Sequence, residues 1–377
     1  MHGAFCYLAS LSARGGSIEA VERLSPLARS RIGLLFDLPH LALKDGKRIE
    51  DELEKRADCI ARVARVGCHT FVDAHDYPLE IRTASGQQPI AYLVEALRKR
   101  GSNVIPVTGT VTDRGDDYVR TIRNVVGTRG QGVCVRIARD ELEDPAYLRA
   151  ELSTALDLIG ISPDQVDLVL NFAFIGTDRP EKMRAIALEA LEVIQRTGQF
   201  RNVALSGTSI PAQLGKRTQG EILRFRRIEY DTWIGVSRLV ANEMALAFGD
   251  HGIVEIHHAP PGKRVNVPSR IRYTTEREHV IRRAPRGEYS KICRELIASK
   301  DFSGGSYSVG DQRLARAAVS LSSKFAPGKA VAHDMNHHLE FVSAQVWREI
   351  QDEGRTGSYL LSPPTIRPWL QVELEDN

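Results

Sequence analysis

The chain has 377 residues, 42% of them hydrophobic and 26% charged, the balance of an ordinary globular protein. Its net charge of +3, from 51 basic and 48 acidic residues, excludes a polycation that coats nucleic acid by bulk charge. Five scattered cysteines (Cys6, Cys59, Cys68, Cys134 and Cys293) include no CxxC pair, which fits neither a disulfide framework nor a zinc knuckle. They read as free thiols in a reducing, cytoplasmic setting. No apolar run approaches the length of a membrane span, so no membrane partner is expected.

The N-terminal run lacks the basic start of a signal peptide and reads as a strand. Short apolar runs then recur along the chain, at 4–11, 32–38, 68–74, 103–109, 132–138, 166–172, 202–207 and 252–258. Each is rich in Val, Ile, Leu, Phe or Cys and bounded by Gly, Pro, Asn, Asp or a charge. Strands buried on both faces read this way. Between them, helical spacing of apolar residues predicts helices over 50–66, 90–99, 146–159 and 181–197. Residues 218–248 read as two helices or one bent helix.

Eight strands alternating with helices predict a parallel sheet, and eight is the number that closes a (β/α)8 barrel. An open dinucleotide-binding sheet would show GxGxxG at its first turn. The chain has SARGGSIE there, with adjacent glycines, and it has no P-loop. No motif specifies a cofactor. We therefore expect an α/β fold, a TIM-like barrel over residues 1–260. Residues 261–377 would form a basic strand and loop segment with C-terminal helices packed on the barrel. Within that region 270–276 reads as an extra strand, and 287–299, 311–323 and 338–352 read as helices.

In a barrel, functional groups sit at the carboxyl ends of the strands. Those ends carry Ser12 and Arg14, Asp37 and His40, Asp73 with His75 and Asp76, Thr108 and Thr110, and Arg136 with Arg139. The later strands add Asn171, then Ser206, Thr208 and Ser209, and finally Glu255, His257 and His258. Strand parity puts Cys134 and Arg136 on one face and pairs Phe71 with Asp73, both facing the barrel interior. Arg136 and Asp73 then either neutralise each other or hold a ligand. The run Asp73-Ala74-His75-Asp76 also invites a divalent metal, but no second cluster completes a site, and an ordinary polar loop is the plainer reading. The adjacent pairs His257-His258 and His337-His338 have diverging side chains.

Charge is uneven. Residues 262–286 hold eight Lys or Arg and two Glu, a balance of +6, which leaves the rest of the chain at −3. Arg270 and Arg272 share one strand face, and paired guanidiniums suit a phosphate or carboxylate. A solvated rim with scattered salt bridges is the plainer reading. Tyr273 is the one aromatic among these charges, too few for a nucleic-acid groove.

The ordered set of segments resembles the Beta protein family, named for a bacteriophage protein. It begins with a strand followed by ARGGSIEAVERLSPLARSRIGLLFDLP. Then come VCVRIARDEL, RRIEYDTW (226–233), AFGDHGIV (247–254), RIRYTT (270–275), SYSVGDQRLARAA (306–318) and MNHHLEFV (335–342). Two positions depart from the family pattern. Ser17 follows Gly16 where an acidic residue is usual, and His251 stands where an aromatic is common. Gly310, Asp311, Asn336, His337 and His338 match. The resemblance implies a barrel and a phage, mobile-element or phage-defence setting, and it supplies no mechanism.

Two functions follow as expectations. In the first, the mouth binds, and in one version hydrolyses, an anionic ligand such as a nucleotide or phosphorylated molecule. Arg14, Arg136 and Arg272 would hold the anion, with Asn171, Tyr273 and Asn336 lining the site. Asp73 would be the general base or a metal ligand, and Asp311 and His337 would close over the mouth. In the second, the chain is a non-enzymatic sensor or interaction subunit whose basic segment docks a protein or a nucleic acid.

Overall fold

The structure is a computed structural model, and it describes residues 5–39, 48–64, 68–127, 131–214, 220, 222–253, 268–320 and 327–352. Eight parallel strands close into a barrel. They are β1 (Tyr7–Ser12), β2 (Ile32–Asp37), β3 (His69–Asp73), β4 (Ile105–Thr108), β5 (Val133–Ile137), β6 (Val166–Phe174), β7 (Asn202–Thr208) and, after β8 (Ile222–Arg226), β9 (Leu246–Asp250). The strand β8 leaves the barrel and joins β10 (Ser269–Thr274) and β11 (Glu278–Ala284) in an antiparallel sheet of order β10-β11-β8. The first seven staves fall where the apolar runs predict them.

Two expectations change. The last stave is β9, not 252–258; Gly252 turns the chain with φ +61°, and residues 254–258 lie outside the described residues. The span 218–248 is not continuous helix. It holds β8, the helix Ile228–Leu239 and β9. A short apolar run such as LAF cannot be told from helix by periodicity alone, and it is the register of Leu246 to Asp250 against Val203 to Gly207 that makes it a stave.

The helices are α1 (Gly15–Glu22), α2 (Pro26–Arg29), α3 (Ile49–Ala64), α4 (Pro89–Lys99), α5 (Val111–Arg114), α6 (Asp116–Val126), α7 (Arg139–Leu142), α8 (Pro145–Ile159), α9 (Pro180–Thr197), α10 (Ile228–Leu239), α11 (Tyr289–Ile297), α12 (Val309–Val319) and α13 (Pro327–Asp352). The C-terminal region packs on the barrel, and its last helix does more than pack. α13 touches α1 and β1 on one side. On the other, its Glu349 meets Tyr230 and Arg238 of α10. It therefore fills the eighth place in the helical ring, between the helices that follow β7 and β1. The three-stranded sheet, α11 and α12 are inserted between β9 and this final helix, and β8 reaches them from ahead of β9.

Barrel parity is clear from the core. Phe5, Leu8, Leu35, Phe71, Ile105, Val107, Cys134, Val169, Ala204 and Ala247 form the interior cluster. The alternate residues of each strand face the helices. A separate small core under the inserted sheet joins Ile271, Tyr273 and Val280 to Ile292, Leu296 and Leu314.

One buried acid in α13 is poorly matched to its surroundings. Asp334 accepts the Arg272 backbone N–H through Oδ2 at 2.9 Å, while Oδ1 is buried without a partner. Burial pushes its pKa up to about 8 against the pull of Arg272. A carboxyl raised in the folded state contributes stability at low pH that is lost as pH rises from the ordinary carboxylate range through about 8. Asp334→Asn should therefore raise the melting temperature at pH 8 and change it little at pH 4. Equal effects at both pH values in a thermal scan would contradict this.

Candidate functional site

The carboxyl ends of the staves bring one charged cluster together inside the barrel. The Asp73 carboxylate is fully buried and takes four donors. Arg114 Nη1 and Nη2 lie at 3.0 Å each, Arg136 Nη1 at 3.3 Å and the His75 backbone N–H at 2.9 Å. Desolvation pushes this carboxyl up, but Arg114 and Arg136 outweigh it and hold it below the usual carboxylate range. Arg114 also bonds Asp113 at 2.7 Å and stacks over Tyr118 at 5.5 Å. Asp73 is thus an anchor for two guanidiniums, with no oxygen left uncontacted.

Arg136 bridges from Asp73 to Asp37, 2.8 Å away. It uses Nη1 for both acids, and its Nε and Nη2 make no hydrogen bond among the described residues. Asp37 keeps 19% of its side-chain surface. Its carboxyl nonetheless sits deep enough that desolvation pushes its pKa up to about 6, against the pull of Arg136. Nearby Asp73 and Asp76 push the same way. Arg14 caps α1 at the end of β1, exposed at the rim, with no side-chain hydrogen bond among the described residues. Partial desolvation and neighbouring Arg56 weaken its hold on its proton, and Asp76 opposes them.

Opposite this charged half, β6 ends in a bulge between Asn171 and Phe174. Ala173 has φ 53°, a left-handed conformation that is uncommon outside glycine and concentrates at functional sites. The Asn171 Oδ1 accepts the Ala173 N–H at 3.3 Å and contacts His251 Nε2 at 3.0 Å. An amide oxygen facing both groups makes His251 Nε2 the donor. Next along the wall come Ser206 of β7, Gly249 of β9 and Ser10 and Ser12 of β1, all on the interior face.

The other expected residues lie elsewhere. His337 and Asp311 do not close over the mouth. Both are fully buried outside the barrel wall, where Asp311 Oδ2 faces His337 Nδ1 at 2.8 Å. The next residue, His338, meets Asp250 Oδ2 at 3.0 Å, the Thr274 hydroxyl at 2.7 Å and the Tyr7 hydroxyl at 3.1 Å. Tyr7 belongs to the helix-facing core and Asp250 alternates with interior Gly249, so this junction lies on the outer wall. Tyr273, fully buried, donates to Asp311 at 2.6 Å and stacks on His337 at 3.8 Å. Asn336 ties Gly310 to Ala20. Gly310 allows this close approach, since a Cβ there would lie 2.2 Å from the His333 carbonyl.

The basic segment is absorbed in the same region. Arg272 lies against Asp334, Arg277 pairs with Asp231, and Arg282 pairs with Asp301. Arg270, Arg283 and Arg286 have intramolecular partners too. A cleft of about 700 Å³ on the inserted sheet is lined by Arg224, Arg226, Arg277 and Lys300 among others. Carboxylates pair its arginines. Among the described residues, no group of three His, Cys, Asp or Glu could hold a metal ion, so the Asp73–Asp76 run forms no such cluster. No helix among them is long and apolar enough to cross a membrane. His40, Glu255, His257 and His258 fall outside the described residues.

Residues 7–344 match the Beta protein family. The chain belongs to that family. No curated protein matches it in sequence. Among solved structures it is similar to a diaminopimelate decarboxylase from Helicobacter pylori, with 9% identity and a TM-score of 0.38. That match covers 66% of this chain and 56% of the decarboxylase. It is also similar to a triosephosphate isomerase from Bartonella henselae, with 11% identity and a TM-score of 0.35 over 66% of this chain and 92% of that one. A GH5-4 endoglucanase from an uncultured bacterium aligns with 10% identity and a TM-score of 0.40, over 67% and 87% of the two chains.

Two residues of the mouth, Arg114 and Ser10, were missed from sequence, and a third, Asp37, was named without its partner. Arg114 sits on a four-residue helix with no periodicity to mark it. Asp37 was visible as a strand end, but its contact with Arg136 depends on barrel closure. Ser10 follows from parity once Leu8 is known to point inward. The anchoring role of Asp73 predicts that Asp73→Ala costs about 3–5 kcal/mol, because two buried guanidiniums lose the acid they share. Asp37→Asn should cost less than about 1 kcal/mol, since that side chain is partly open. Urea unfolding of the two variants tests this, and similar losses would refute the division of roles.

Proposed function

We propose that the barrel mouth of this Beta-family protein binds a small anionic ligand, held by Arg136 and Arg14, and that Asp37 exchanges a proton with it. The observation that carries this reading is Arg136. Two acids fix its guanidinium through one nitrogen, while Nε and Nη2 stay uncommitted. Planar forks of this kind bind oxyanions through two parallel hydrogen bonds. Fixing the guanidinium beforehand lowers the cost of ordering it on binding. Arg14 adds a second cation at the rim.

The proton-transfer role expected of Asp73 passes to Asp37 in this reading. A general base needs a free oxygen and a pKa near the working pH. Asp73 has neither property, whereas Asp37 has an oxygen without a partner among the described residues and a pKa near 6. The docking reading loses support, because the described arginines of the basic segment are engaged within the chain. The phage, mobile-element or phage-defence setting rests on the family resemblance alone.

The reading has a definite pH signature. An anion beside Asp37 favours its protonated form, so binding above pH 6 takes up a proton. Affinity should fall by up to about tenfold per pH unit above 6 and level off below it. Sulfate is a suitable probe, since its charge is constant between pH 5 and 8. Calorimetric titration should show this slope in the wild type. Asp37→Asn should flatten it and tighten binding at pH 8, and Arg14→Gln should weaken binding at every pH. Affinity that ignores pH, or no binding of sulfate at all, would overturn the reading.

A further inference from the structure

The upper barrel is chemically divided. Strands β2 to β5 supply the charges Asp37, Asp73 and Arg136. Strands β6, β7, β9 and β1 supply Asn171, Ser206, Gly249, Ser10 and Ser12 on the inward face. The hydroxyls of Ser10, Ser12 and Ser206 are all buried with no hydrogen-bond partner among the described residues. Ser10 and Ser206 are only 3% and 2% exposed. Gly249 adds no side chain between them, and a Cβ there would lie 2.8 Å from that of Ser206. The result is a shelf of small residues carrying three uncommitted hydroxyls, across the barrel from a guanidinium with a free edge.

Leaving a buried hydroxyl unpaired is unfavourable, and three in one half of one ring call for a common partner. A hydroxyl both donates and accepts, so its natural complement is another hydroxyl. A carboxylate only accepts, and an apolar group does neither. Building on the anion reading above, we propose that the ligand is a small sugar phosphate. Its phosphate meets Arg136 and Arg14, and its sugar hydroxyls meet Ser10, Ser12 and Ser206. Arg136, held by Asp37 and Asp73, fixes the phosphate end. Phe174, partly exposed beyond the Asn171 bulge, borders the same side of the mouth.

The test compares inorganic phosphate with D-ribose 5-phosphate, D-glucose 6-phosphate and glycerol 3-phosphate, by calorimetry and thermal shift on the full chain. At least one sugar phosphate should bind ten times more tightly than phosphate or more. The double variant Ser10→Ala with Ser206→Ala should remove that advantage while retaining phosphate binding. Its melting temperature without ligand should not fall, because it deletes unpaired hydroxyls. If phosphate binds as well as every sugar phosphate, the sugar assignment fails and the anion reading stands. If the advantage survives in the double variant, the hydroxyl shelf is not its source and the assignment also fails. If nothing in the series binds and sulfate does not either, both readings fall together.

Discussion

The fold depends on a buried polar junction between the barrel's outer wall and its last helix. In a (β/α)8 barrel the eighth helix normally follows the eighth strand directly. Here β9 ends at Asp250 and α13 begins at Pro327, with a sheet and two helices between them. Connectivity alone does not bring the helix back to its place. His338 does so by bonding Asp250 and Thr274 at once, and His337 does so through Asp311 and the Thr274 carbonyl. Thr274 also contacts His279, which meets Glu229 of α10, so the chain of contacts runs from the barrel wall through the inserted sheet to the neighbouring helix. Buried charged groups of this kind add little net stability, but removing one partner strands the others. Their geometric demands suit them to fixing the position of a helix that could otherwise slide.

That junction also sets the mouth. Asp250 faces outward to His338, and His251 follows it to reach Asn171 at the barrel end. Holding Asp250 from outside therefore fixes where His251 enters. The same division appears in β3 and β5, where one face packs in the helical core and the other presents Asp73 and Arg136. Arg136 is held between two acids before any ligand arrives, and it keeps its remaining edge uncommitted. Such preorganisation is how a site avoids spending binding energy on orienting its own groups.

Much of this was legible in the sequence where one physical signal dominated. Strands buried on both faces read as apolar runs, and the first seven staves appear as such. Parity placed Arg136 and Asp73 inside, because a charge among core residues has only the mouth to face. The alternation in RIRYTT put Arg270 and Arg272 on one face, as the structure has them, but Tyr273, expected to line the site, lies buried on the other. The failures share a cause. β9 is short and sits in a stretch that also fits a helix, so its register, and with it the direction of Asp250, was lost. Without that direction, the pair His337-His338 could be assigned to the mouth as easily as to the wall. The basic segment misled for a related reason, since its acidic partners Asp231, Asp301 and Asp334 lie outside it in sequence.

The contrast between wall and mouth is the stronger argument for where function lies. At the wall, Asp250, Asp311, Glu229, His337 and His338 are each matched by several partners. At the mouth, several unfavourable features sit toward the carboxyl ends of the staves. Ala173 holds a left-handed backbone, Asp37 carries a raised pKa, three hydroxyls are unpaired and one edge of Arg136 is idle. A protein optimised only for stability would relax these features, and one that binds a ligand has a reason to retain them. Unmatched buried atoms occur elsewhere too, among them side-chain atoms of Tyr77, Ser102, Gln131, Arg227, Thr232 and Asp334. Arg227 is compensated in part by stacking over Tyr230 at 4.7 Å and by its bonds to Gln345 and the Thr275 carbonyl. Asp334 is compensated by staying protonated. The three serines of the mouth differ from these scattered atoms in their grouping, on the inward faces of β1 and β7 with only Gly249 of β9 between them.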